Sequence, residues 1–150
     1  MINNIIKKAN VFYKLAVKDL ADRMLELGEI KILEAPLTVS HRSSNLNLTQ
    51  KDLDPLAIRK TRQGKSESNP MVGLYTYDIE NDVPRYGENK IDIELPAGTK
   101  ILDVVNVENF YSTKIPKYVA ERLILEGIDV IKGKDIIGPP EYIILKMPKI

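Results

Sequence analysis

The sequence predicts a single α+β domain, and three observations carry that expectation. The chain has 150 residues, few for two cores but enough to bury roughly two thirds of the unfolded surface in one. Apolar residues recur at helical steps near the N-terminus and again near residue 120, whereas the other apolar segments are short, with the alternation or β-branched character of strands. These strand-like segments follow one another mostly through short turns and not through crossover helices, which favours α+β over α/β.

Residues 1–28 supply the first element. Ile5, Ala9, Phe12, Ala16, Leu20, Met24 and Leu27 fall at three- and four-residue steps, with Lys8, Lys14, Lys18, Asp22 and Glu26 mostly between them. That is an amphipathic helix stopped near Gly28. Residues 30–39 have the alternation of one strand, with Pro36 marking an edge or a bend. His41 falls just past it. Residues 40–70 are rich in Ser, Asn, Gln, Asp and Lys, with one apolar piece at 53–58 that suits a helical turn or two. They are expected to form a long functional loop. A strand over 72–77 follows, then a short turn or helix about 81–86, an alternating strand over 90–95 closed by Pro96, Ala97 and Gly98, and another strand over 101–107. Residues 115–125 read as a helix, with Pro116 tolerated in the first turn and Gly127 as the stop. Strands over 128–131 and 142–147 finish the chain on either side of Gly138, Pro139 and Pro140.

Composition excludes several chemistries. The 22 Lys and Arg nearly cancel the 21 Asp and Glu, so no bulk charge draws the chain to nucleic acid or membrane. The absence of cysteine removes disulfides, thiolate catalysis and Cys-ligated zinc, and the lone His41 cannot build a His-rich centre. No metal is expected. Lys14 and Lys18 interrupt the apolar N-terminal stretch, and no run approaches the roughly twenty residues of a membrane-spanning helix. A cytoplasmic protein without membrane attachment is the default. Arg59, Lys60, Arg62 and Lys65 form a local basic patch, which reads either as a solvated loop or as a contact for phosphates or an acidic target.

Three of the seven tyrosines, Tyr75, Tyr77 and Tyr86, fall within residues 72–87 of a chain that has no Trp and two Phe. Such clustering is either core packing or a stacking site. Tyr77 is expected on the opposite face of its strand from Tyr75 and is given a structural role. A single His at a strand end is commonly a hydrogen-bonded structural residue, and Glu141 after two prolines could be an ordinary strand opening.

The order of the motifs adds a resemblance. His41-Arg42-Ser43-Ser44 is followed by GLYTYD at residues 73–78, Tyr86-Gly87, the stretch KIDIELPAGTKILDV, a helix, and GPPEYIIL with Glu141. Over about residues 37–150 this resembles the ADP-ribosyltransferase superfamily, in particular the diphtheria-toxin and poly(ADP-ribose)-polymerase branch with its His, Tyr, Glu signature. The eleven-residue separation of Tyr75 and Tyr86 is also that of the branch. The resemblance implies an ADP-ribosyltransferase-like split mixed β-sheet core with flanking helices, one domain over 1–150 in which the helix of 1–28 precedes a catalytic core at 37–150.

What the resemblance implies for function is a mono-ADP-ribosyltransferase that cleaves NAD, releases nicotinamide and modifies an unidentified protein or nucleic-acid acceptor. NAD is a substrate there, and no metal is involved. Tyr75 and Tyr86 become two jaws on the nicotinamide. His41 holds a ribose hydroxyl, the backbone after it at Arg42 holds the amide, and Ser43 and Gly73 complete the NAD-binding set. Glu141 becomes the catalytic carboxylate, stabilising the charge that develops on the ribose. Three departures matter. Many relatives have Gly where Arg42 stands, which leaves open a degenerate module of the same fold that binds a nucleotide or a macromolecule without turnover. Pro139 replaces the acidic or amide residue of arginine-modifying relatives. Val83 replaces a serine that poly-ADP-ribosylating relatives tend to carry, so chain elongation is not expected.

Overall fold

In the computed structural model the described residues are 20–57, 71–81, 87–107, 115–134 and 138–149. They build a mixed α+β fold around a seven-stranded sheet in the order β1-β6-β8-β9-β4-β2-β5. Its strands are β1 (Glu29–Ile32), β2 (Leu37–Ser43), β4 (Leu74–Asp78), β5 (Asn89–Leu95), β6 (Lys100–Asp103), β8 (Val130–Lys134) and β9 (Pro140–Ile144). β3 (Met71–Val72) and β7 (Ile115–Pro116) pair separately. Helix α1 covers residues 20–27, and α2 is Lys117–Leu125. β6 and β8 are parallel, joined through α2, and all other neighbours are antiparallel.

The two-residue period of the strands sorts the core into two layers. On one face Leu102, Ile131, Ile143 and Leu145 pack against Ala21 and Met24 of α1 and Val119, Ala120 and Leu123 of α2. On the other, Val39, Leu74, Ile93, Ile101, Val130 and Ile144 form a second cluster, with Leu48 and Leu53 from the segment after β2 packed on it. Fully burying one such aliphatic side chain is worth about 1.5–3 kcal/mol, so this pairing of helix stripe with sheet face supplies most of the driving force. The inward stripe of α1 is Ala21 and Met24, while Leu27, expected on that stripe, is 57% exposed.

Several expected boundaries move. Residues 30–39 are two strands, not one, and β1 and β2 lie far apart in the sheet order. The break falls at residues 33–36, because Pro36 cannot donate a ladder hydrogen bond. Residues 40–43 continue β2 and are not loop, since they pair residue by residue with β5. Leu53 ends a 3-10 turn at Gln50–Asp52 and does not begin a helix. Pro116 ends β7 and caps α2 from outside, with Lys117 as the first helical residue. The expected strand 101–107 stops at Asp103. The earlier part of the N-terminal helix, residues 1–19, and the basic patch, within residues 58–70, lie outside the described residues.

At the β1 edge, Lys31 Nζ donates to Asp103 Oδ2 at 2.9 Å. Burial pushes the Asp103 carboxyl up, but the Val105 backbone N–H and the Lys31 ammonium outweigh it and hold the group below its ordinary value. The same hydrogen bond and charge raise Lys31. Among the described residues, no helix is long and apolar enough to cross a membrane.

Candidate functional site

The three motif-bearing strands are consecutive neighbours in the sheet: β9 with Glu141, β4 with Tyr75, and β2 with His41. A hundred residues of sequence separate His41 from Glu141, and the strand order brings their strands within two inter-strand spacings, roughly 9–10 Å. β4 pairs with β9 over four residue pairs, from Leu74↔Ile144 to Tyr77↔Glu141. β2 pairs with β4 over two only, Val39↔Asp78 and Ser40↔Tyr77, while its ladder with β5 runs the full seven residues. The sheet therefore opens along a seam between β2 and β4, starting just after Ser40.

Alternation gives each side chain a face. Tyr75 is opposite Ile143 and packs on the helix-side cluster, so Glu141, two residues before Ile143, lies on that same face. Ser40, Tyr77 and Glu141 form one lateral row across β2, β4 and β9 on that face. The opposite-face placement of Tyr77 is thus incorrect, because residues i and i+2 of a strand share a face. Tyr77 stands directly between Ser40 and Glu141 and so joins the candidate site, in place of the purely structural role expected for it. Glu141 is 3% exposed. A carboxylate shielded to that degree is costly unless its neighbours compensate it, which is the setting in which enzymes hold functional acids.

His41 lies inside β2, opposite Ile91. By alternation with Ser40 its side chain leaves the strand on the other face, yet Nδ1 comes to 2.8 Å from the backbone carbonyl of Tyr75. The imidazole thus takes up a carbonyl at the place where the β2–β4 ladder has ended. A carbonyl only accepts, so the contact assigns the proton to Nδ1 and leaves Nε2 of the neutral ring as an acceptor for a hydroxyl. Arg42, back on the Ser40 face, donates from Nη1 to the carbonyl of Gly87 at 3.3 Å. The Ser43 hydroxyl accepts the Asn45 backbone N–H at 3.1 Å, which gives it a turn-forming role whatever else it holds.

Two glycines are required by close approach. Gly73 has φ +112, and a Cβ there would stand 2.6 Å from Ile143 Cγ2; its N–H bonds Pro55 O at 2.7 Å. Packing of β4 against β9 thus accounts for the residue expected in the NAD-binding set. Gly87 has φ +144, and a Cβ would meet the Ser43 carbonyl carbon at 2.3 Å and Ser44 N at 2.8 Å. The backbone at Gly87 is therefore laid directly on the end of β2. Tyr86, the other expected jaw, lies outside the described residues.

Two surface hollows of about 330 and 560 Å³ are found elsewhere, one between Pro96–Thr99 and Lys146–Lys149, the other beside Thr38, Asp92 and Glu94. Neither is lined by an expected site residue. Among the described residues, no group of three or more His, Cys, Asp or Glu is arranged to hold a metal ion. No protein-family model, curated protein or solved structure matches the chain.

Proposed function

We propose that the chain is a mono-ADP-ribosyltransferase of the fold its motifs resemble. The observation that carries the reading is the adjacency of β2, β4 and β9, with Tyr75 and Glu141 on one face and the His41 ring reaching the Tyr75 carbonyl across the seam. With NAD bound there, the bond between ribose C1′ and the nicotinamide nitrogen breaks, and its electron pair leaves with neutral nicotinamide. Positive charge develops on the ribose. A fixed carboxylate at Glu141 stabilises that charge, and a nucleophilic atom of the acceptor protein or nucleic acid attacks C1′, losing its proton. Nε2 of His41 orients the ribose through a hydroxyl, and the Tyr75 ring provides a stacking surface for the nicotinamide.

The test is incubation with NAD labelled in its adenylate half, reading both nicotinamide release and label transfer. Glu141→Gln keeps size and removes charge, so turnover should fall by roughly a hundredfold or more while NAD affinity stays within a few-fold. A variant as fast as the parent would remove Glu141 from the chemistry. The second reading, a degenerate module of that fold that binds a nucleotide or a macromolecule without turnover, draws on Arg42, whose guanidinium is tied to the Gly87 carbonyl and which stands where many members of the resembled superfamily have Gly. Binding by both proteins with turnover by neither would favour it.

A further inference from the structure

β1 stands at one edge of the sheet, and among the described residues its outer side has no partner strand. Glu29, Ile30, Lys31 and Ile32 are all exposed. Sheets in folded proteins blunt such edges with proline, a bulge or charged side chains. The opposite edge does so, because β5 exposes Lys90, Asp92 and Glu94 and buries Ile91, Ile93 and Leu95. β1 has no proline, its ladder to β6 is unbroken, and it leaves Ile30 and Ile32 46% and 63% exposed. Ile30 is opposite Leu102 of the helix-side core, so both isoleucines stand on that face. Glu29 and Lys31 stand on the other, where Lys31 Nζ is 2.9 Å from Asp103 and 3.9 Å from Glu29.

We infer that β1 pairs with β1 of a second copy of this chain, antiparallel and centred on Ile30. Hydrogen-bond direction limits the registers. The Leu33 N–H bonds Thr99 O, so by the alternation of an antiparallel ladder Leu33, Lys31 and Glu29 turn their backbone groups to β6, and Ile30 and Ile32 turn theirs outward. A second strand must set its own outward residues against these. Ile30 opposite the partner's Gly28 brings Glu29 against Glu29, and Ile30 opposite the partner's Ile32 brings Lys31 against Lys31. Like charges directly opposite each other are destabilising. With Ile30 opposite Ile30, each Glu29 meets the partner's Lys31, and the two isoleucines exchange N–H···O=C bonds. The Ile32 N–H then meets the partner's Gly28 carbonyl, while the Gly28 N–H stays with Met24 O. The charge pattern thus selects one register, and it is complementary to itself. Each Glu29 gains an ammonium already held in place by Asp103, and the isoleucines of both copies meet on the helix side. A ladder this short suits a reversible dimer in the micromolar range.

Sedimentation velocity of the full chain from about 1 µM to 1 mM should show a concentration-dependent monomer–dimer equilibrium. Glu29→Lys and Lys31→Glu each turn both cross-strand attractions into repulsions, and each should weaken the dimer about tenfold or more. An equimolar mixture of the two variants should recover parental association, because in the mixed dimer every residue 29 faces a residue 31 of opposite charge. Ile30→Pro removes an outward N–H and leaves the ladder to β6 intact, so it should abolish the dimer with thermal unfolding nearly unchanged. Lys31→Glu also gives up the Asp103 contact; should it fail to fold, Glu29→Lys and Ile30→Pro carry the test. A parent that stays monomeric throughout would overturn the inference, as would a Glu29→Lys variant that associates as tightly as the parent. A mixture of folded variants that associates no better than its components would overturn the register and the inference with it. A dimer that survives Ile30→Pro would place the contact on another surface and overturn it as well.

Discussion

The two halves of the sheet are built differently. In β6, β8 and β9 the ladders are continuous, and the residues facing the helices are Leu102, Ile131, Ile143 and Leu145, all buried. Across β2 and β4 the ladder lasts two pairs, and the corresponding face carries Ser40, Arg42, Tyr75 and Tyr77. The first half gains stability from apolar burial and complete backbone pairing. The second gives up ladder hydrogen bonds, filling one with the His41 side chain, and keeps polar groups where a substrate could use them. Glu141 sits on the boundary: its strand is zipped to β8 on one side and to β4 on the other, which holds a buried carboxylate in place beside the seam. Rigid support next to polar, less fully paired backbone is what a preorganised site requires.

Substitutions in the two halves should therefore separate stability from activity. Ile131→Ala empties a fully buried position under the helices and should cost about 2–5 kcal/mol of unfolding free energy, measured by chemical denaturation. Glu141→Gln, by contrast, should act on turnover. If it lost as much stability as Ile131→Ala, the division between the halves would not hold. Gly87→Ala forces a side chain onto the backbone of Ser43 at a positive φ. It should cost about 1–3 kcal/mol and also weaken NAD binding, because it lifts this segment off the end of β2. A folded variant with parental affinity would show that the docking of Gly87 is separate from the site.

The smallest effect belongs to the far edge. The lowered Asp103 carboxyl contributes stability that is present above its unfolded value, near 3.8, and is lost as pH falls through the lower folded value. The raised Lys31 contributes below about 10.5 and loses its contribution as pH rises through the higher folded value. Asp103→Asn should accordingly destabilise by about 1 kcal/mol or less at neutral pH, since Lys31 is half exposed. The gap from the parent should close as pH falls below roughly 4, and NAD affinity should not change. A gap that persists in acid would assign the loss to the Val105 N–H contact and not to charge.

Much of the zipped half was legible. β5 reads NKIDIEL with strict alternation, and α2 has its stop at Gly127, which takes φ +83. Residues 40–43 were not legible as strand, because Ser, His, Arg and Ser carry no apolar period; their strand character comes from pairing with β5. The face of Tyr77 is legible too, because residues i and i+2 of a strand share a face, and its pairing with Glu141 beside Tyr75 with Ile143 corrects the expected opposite-face placement. Ser40 had no signal of its own. Only its register against Tyr77 shows that it shares a row with Glu141.

Sequence alone determined the class of the fold, the helical and strand periods, and the residues able to do chemistry in a chain with one His and no Cys. Those properties are local or compositional: a period of 2 or 3.6 is written in neighbouring residues, and a missing thiol is missing everywhere. Tertiary structure decided that residues 30–39 are two strands far apart in the sheet, that β9, β4 and β2 are neighbours, and that the β2–β4 ladder ends after Ser40. Strand order and register depend on which edges pair across long sequence separations, and burial of whole faces selects them, so no stretch of the chain encodes them by itself.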